Sequence, residues 1–293
     1  MKPSFSIVGC GKVGTSLGWF LSKRGYPLTG VSARSLDTAE SAAKLAGTDR
    51  FSDKPREITL EADIVFITTP DGAIADTCRE IADHGAFKKN AVVLHCSGSL
   101  PSTILSAGKH GNFHSGSLHP LQSFAAFKTD LNPFRGIIAA VEGEPAAIAV
   151  ARDIASDLGA VVLEIKTEAK ALYHASAVVA SNYLVSLMDL SLRLMAAAGI
   201  TGKDALRVLS PLIDGTLGNI KKVGIPDALT GPISRGDSET VTDHLNEMER
   251  TTPDLISLYK SLGQHTVQLA LDKGTLSQED AEKLRALLAD GKN

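Results

Sequence analysis

Three glycines stand in the run Gly9-Cys10-Gly11-Lys12-Val13-Gly14, after the apolar stretch Phe5–Val8 and before helix-periodic residues from Thr15 to Arg24. This spacing suits a strand, a tight turn and a helix that together cradle a pyrophosphate. Gly9 lets the chain turn sharply off the strand. Gly11 lets the backbone approach the phosphates without a Cβ between them. Gly14 lets the helix pack closely on the sheet, with its N-terminal amides aimed at the anion. About twenty residues later, a carboxylate would mark a site for the ribose 2′-hydroxyl of NAD. The second apolar run, Leu28–Val31, instead leads into Ser32-Ala33-Arg34-Ser35. Arg34, flanked by two hydroxyls, suits a 2′-phosphate because a guanidinium binds phosphate bidentately. The expected cofactor is therefore NADP(H), held by Gly9 to Gly14, Ser32, Arg34 and Ser35, although Ser35 is also placed to cap the next helix.

Further candidates lie where apolar runs end, because ligands of an open parallel sheet bind beyond the carboxyl ends of its strands. Thr68, Thr69 and Pro70 follow one run, and Ser97 and Gly98 follow another; all five are candidate cofactor contacts. Ordinary turn chemistry explains Pro70-Asp71-Gly72 as a helix start equally well. His119, in His119-Pro120, is a candidate proton donor or carboxylate binder. His174, Ser181 and Asn182 are spaced to share one face of a helix, with His174 as a proton donor and Asn182 as an orienting hydrogen bonder. A core hydrogen-bond network is the alternative for these residues. Lys170, one turn before His174, is either a partner for a phosphate or a substrate acid or an exposed lysine. Arg235, in Leu229-Thr-Gly-Pro-Ile-Ser-Arg-Gly-Asp237, is a candidate clamp for a substrate carboxylate, and Asp237 a helix cap.

The elements that must position these residues divide the chain. Short apolar runs alternate with helical stretches in the first half, as in a doubly wound, mostly parallel α/β sheet. Strands are expected at 5–8, 28–31, 49–51, 64–68, 92–95, 117–119, 137–141 and 161–165, and helices at 13–23, 36–45, 72–84 and 145–158. After about Lys166 the pattern becomes helical: one long helix over 169–198, another over 203–209, Gly- and Pro-rich loops and short helices over 210–237, then helices at 239–250, 253–273 and from the Ser277 cap to Asp290. The expected domains are a nucleotide-binding domain over 1–165 and an all-helical substrate and dimerisation domain over 166–293.

Of the 293 residues, 43% are hydrophobic and 22% charged, and the formal net charge is −3. There is no basic run to suit nucleic acid. Cys10, Cys78 and Cys96 form no ligand pair or disulfide framework, and no secretory h-region opens the chain, so a cytoplasmic protein is expected. Residues 171–188 carry no formal charge, yet His174, Ser176, Ser181, Asn182 and Ser186 make them too polar for lipid; a helix buried between domains or subunits is expected.

The glycine run, His119-Pro-Leu-Gln-Ser-Phe124, Tyr173-His174-Ala-Ser-Ala-Val-Val-Ala-Ser-Asn182-Tyr183-Leu184 and the segment 229–237 carry a family resemblance over nearly the whole chain. The chain resembles the Rossmann-like NADP-dependent oxidoreductases of unassigned substrate with a helical C-terminal domain, distant relatives of pyrroline-5-carboxylate reductase and of 6-phosphogluconate and β-hydroxyacid dehydrogenases. The resemblance implies NADP(H) binding and a homodimer built through the helical domain. In the β-hydroxyacid dehydrogenases a Lys and an Asn on the first long helix act in catalysis; here the corresponding face carries His174 and Asn182 at a different spacing. The Tyr-x-x-x-Lys pair of short-chain dehydrogenases is missing, since Ala177 follows Tyr173, and no Cys/His cluster has zinc spacing.

The expected activity is hydride transfer to or from a small imine, 2-oxo acid or hydroxy acid. The alternatives are a non-catalytic NADP sensor and a deazaflavin-coupled oxidoreductase, which calls for an aromatic-lined second site in a chain with 5% aromatic residues.

Overall fold

The computed structural model describes residues 1–108, 112–124 and 130–289. They fall into two compact units, Met1–Asn182 and Tyr183–Asn293. Residues 166–182, assigned to the helical domain by sequence pattern, thus group with the sheet.

The first unit holds one sheet in the order β3-β2-β1-β4-β5-β6-β7-β8. Its strands are β1 (Phe5–Val8), β2 (Leu28–Ser32), β3 (Phe51–Ser52), β4 (Ile64–Ile67), β5 (Ala91–His95), β6 (Phe113–Leu121), β7 (Ile138–Gly143) and β8 (Val161–Glu164). The first six are parallel, whereas β7 pairs antiparallel with β6 and parallel with β8. β1, β4 and β5 are buried at every position, which is why they read as continuous apolar runs rather than alternating ones. β6 extends well beyond the expected 117–119. Its Gly, Ser, His and Pro residues have weak strand propensity, but ladders from β5 and β7 on both sides hold it extended.

Helices cover both faces of this sheet. α1 (Lys12–Lys23), α2 (Leu36–Ala46) and α5 (Pro145–Leu158) bury Leu17, Leu21, Ala43, Ala151 and Ile154 in one core. α3 (Arg56–Thr59) and α4 (Ile74–Asp83) bury Ile58, Ile74, Cys78 and Ile81 in the other. Ser35 caps α2 and Pro145 opens α5, as their residue types lead one to expect.

The expected long helix is helical from Thr167 to Ala197. It is interrupted: α6 (Lys170–Val178) passes through a π-turn, Val179–Tyr183, into α7 (Leu184–Ala197). The second unit continues with α8 (Gly202–Val223), α9 (Ser238–Thr251), α10 (Ile256–Lys273) and α11 (Gln278–Leu287). α8 corrects the loops expected after 209. Pro211 lies inside it. A proline costs about 3 kcal/mol in a helix interior but removes only one backbone bond, and the amphipathic residues on either side restore the helix. α9, α10 and α11 bury Val241, Val267, Ala270 and Leu284 together. Asp237 caps α9 and Ser277 caps α11 through their side chains, while Asp290, the expected end of the last helix, lies outside the described residues.

Candidate active site

The glycine turn sits where the strand order reverses, between β1 and its neighbours β2 and β4. The Gly9 amide donates to the Ser32 carbonyl at 2.7 Å, and the Thr68 hydroxyl donates to the Gly9 carbonyl at 2.5 Å. Gly9 has φ +107, and a Cβ on it would lie 2.6 Å from the Thr68 backbone. A Cβ on Gly14 would lie 2.0 Å from the Gly9 carbonyl oxygen. Both glycines are therefore demanded by the chain itself.

Gly11 is different. Its φ of −74 suits any residue, and a Cβ there would meet nothing within 4 Å. It occupies the N-cap of α1 with no side chain capping the helix, so no capping side chain satisfies the first-turn amides. A glycine that the fold does not require, at a free helix N-terminus, fits a phosphate-bearing cofactor.

The other candidate cofactor residues sort by what they already hold. The Cys10 thiol donates to the Ser32 carbonyl at 3.4 Å, and burial pushes its pKa up to about 11, so it is no thiolate near neutral pH. Lys12 is exposed, and Val13 packs on the core. Ser32 is buried, with its carbonyl taken by Gly9 and Cys10. Arg34 is exposed at the end of β2 and makes no ion pair among the described residues, whereas Ser35 is engaged in capping. Thr68 braces the glycine turn. Thr69 has a buried hydroxyl with no hydrogen-bond partner, and Pro70 is exposed. Ser97 donates to Asp71 at 2.8 Å and accepts from the Leu100 amide, tying the end of β5 to that of β4.

Gly98 brings the two candidate histidines together. A Cβ on it would lie 2.6 Å from His174 Nδ1 and 2.8 Å from His119 Nε2. The two imidazoles meet edge to face with centroids 6.2 Å apart. The other nitrogen of His119, Nδ1, shares a 3.0 Å hydrogen bond with the Tyr173 hydroxyl. Burial, reinforced by the Lys170 charge, pulls the His119 pKa down to about 4, so this ring is neutral at pH 7. His174 Nδ1 is buried and has no hydrogen-bond partner. A buried nitrogen without a partner is an exception in folded proteins, and it makes His174 a candidate functional residue.

Tyr173 has no helical-face signal of its own. Only the fold carries β6 to the start of α6 and so pairs it with His119. Lys170 departs from both of its readings: it is 1% exposed and bonds Glu142 at 3.2 Å and the Ser117 hydroxyl. Asn182 is exposed within the π-turn, and no hydrogen bond joins it to His174. The π-turn adds a residue to one turn of the helix between His174 and Asn182. Arg235 lies in the second unit, exposed in a short 3₁₀ turn, Ile233–Arg235.

Residues 2–120 match the family of Rossmann-like domains, and residues 137–266 match DUF2520, a domain of unknown function. No curated protein matches the chain. Among solved structures, it is 28% identical to a protein from Thermotoga maritima, over 92% of this chain and 99% of that one, with a TM-score of 0.70. A Bacteroides fragilis protein provisionally designated an NADP oxidoreductase is 22% identical, over 91% and 98% of the two chains, with a TM-score of 0.74. An imine reductase from Myxococcus stipitatus, solved with NADP+, shares the fold at 15% identity over 98% and 93%, with a TM-score of 0.58. Gly98 and His119 fall in the Rossmann-like match and Glu142, Lys170 and His174 in the DUF2520 match, so the histidine cluster is assembled from both.

Proposed function

We propose that this protein is an NADP(H)-dependent oxidoreductase acting on a small imine, 2-oxo acid or hydroxy acid. The observation that carries the reading is Gly11: the chain leaves open space above it at the uncapped start of α1, while Gly9 and Gly14 are sterically obligatory. The amides of residues 11–14 would hold the pyrophosphate, and Arg34 the 2′-phosphate. The imine reductase solved with NADP+ supports this cofactor by likeness of fold.

A bound nicotinamide supplies hydride chemistry. The chain must then manage the proton on the substrate nitrogen or oxygen. His174 Nδ1 is a buried nitrogen without a hydrogen-bond partner among the described residues, beside His119 and Gly98, and is assigned that proton. Neutral His119 accepts the Tyr173 hydroxyl proton at Nδ1, which leaves its Nε2–H on the side of Gly98. Asn182 is proposed to orient the substrate.

A second copy of the chain is proposed to cover the Thr167–Ala197 helix. In its most apolar window 6% of residues are buried, and Leu172 and Val185 are 79% and 69% exposed. The polar residues among them suit a protein partner in a soluble dimer rather than lipid.

Calorimetry with NADPH and NADH on the wild type and Arg34→Ala tests the cofactor assignment. Tighter NADPH binding, with the preference lost in the variant, is expected; equal or absent binding of both refutes it. Turnover by the wild type and His174→Ala on imines and 2-oxo acids then tests the activity. NADPH binding without turnover on any of them would favour a sensor.

A further inference from the structure

Glu142 lies 1% exposed on β7, where its carboxylate gathers donors from four segments. It accepts the Ser102 amide at 2.8 Å and hydroxyl at 2.7 Å, the Ser117 hydroxyl at 2.7 Å, the Thr167 hydroxyl at 3.0 Å and the Lys170 ammonium at 3.2 Å. Burial alone would raise its pKa, but the Ser102 and Ser117 hydroxyls and the Lys170 charge hold it below the ordinary range, so it is ionised. Thr167 belongs to the turn that leads into α6, and Lys170 is the first residue of that helix. No side chain caps α6. Thr167 and Lys170 are therefore the polar ties that register its start against the sheet.

Tyr173 and His174 follow Lys170 by three and four residues, on the same helix face and one turn further on. Pinning Lys170 thus sets where both rings meet His119 and Gly98. We propose that Glu142 is a positioning residue for the histidine cluster, holding the first turn of α6 through Thr167 and Lys170 so that Tyr173 and His174 close on His119. The functional part of this inference rests on the oxidoreductase reading above; the geometric part does not.

The test is nitrogen NMR of the histidine side chains in the full chain, without substrate, for Thr167→Val, Thr167→Ser and Glu142→Gln. Thr167→Val is isosteric, removes one tie and keeps the measurement available if Glu142→Gln fails to fold. A displaced His119 Nδ1 resonance, from a weakened bond to Tyr173, is expected in Thr167→Val, with the wild-type position restored in Thr167→Ser. Once a substrate is known, kcat should fall roughly tenfold or more in Thr167→Val while KM and NADPH affinity hold, the signature of misplacement rather than lost binding. A folded Thr167→Val protein whose His119 resonances match the wild type would overturn the proposal. Failure to turn over any substrate would refute the oxidoreductase reading and leave the NMR result standing.

Discussion

Replacing Gly11 by alanine separates a glycine kept for a ligand from one kept for the fold. The new methyl would meet no atom within 4 Å, and φ −74 is comfortable for alanine. Removing a glycine restricts the unfolded chain and stabilises by about 0.4–1 kcal/mol, whereas alanine is a poorer N-cap than glycine by a similar amount. Net stability should change by less than about 1 kcal/mol, or within about 4 °C of Tm. Cofactor binding should not be spared. A methyl between backbone and pyrophosphate lengthens charge-assisted hydrogen bonds worth about 1.5–3 kcal/mol each, so losing one weakens NADPH roughly 10- to 150-fold. Gly14→Ala is the contrasting control. Its Cβ would lie 2.0 Å from the Gly9 carbonyl oxygen and 2.4 Å from the Thr68 hydroxyl, and such overpacking costs about 1–3 kcal/mol or more. Thermal unfolding and calorimetry on the same preparations read both quantities. Unchanged NADPH affinity in Gly11→Ala, with the fold intact, would refute the cradle argument; a large fall in Tm would show that the fold does need this glycine.

Two further outcomes are expected. His119 and His95 both have pKa values lowered to about 4 by burial and by the Lys170 charge. The unfolded chain binds these protons first, so stability is full above pH 6.5 and falls as the pH drops towards 4, by up to about 2 kcal/mol per histidine between pH 6.5 and 5. Urea unfolding at pH 7 and pH 5 should show this loss, reduced in His119→Asn; equal stability at both pH values would contradict it. Lys170→Ala strands the Glu142 carboxylate in a site 1% exposed and should cost about 3–5 kcal/mol, while the paired change Lys170→Met with Glu142→Gln should recover most of it. Equal losses in the single and paired variants would argue against a coupled ion pair.

Much of this protein is legible locally. The glycine run, the buried strands β1, β4 and β5, the Ser35, Asp237 and Ser277 caps and the Pro145 helix start each depend on a few neighbouring residues, whose steric and hydrogen-bonding preferences act over one turn. The switch from alternating strands and helices to helices alone is equally local in origin, because periodicity reports which face each element buries. Other features were decided by contacts distant in sequence. β6 is long because two partner strands hold weak strand formers extended. The histidine cluster shows the same division: His119 and His174 stand out as residue types, but only the sheet brings them to Gly98, pairs Tyr173 with His119, and buries Lys170 against Glu142. A residue's type sets what chemistry it can perform. Burial and partners assigned by the tertiary fold set its charge, its free valence and its neighbours, and these are what turn a candidate into a site.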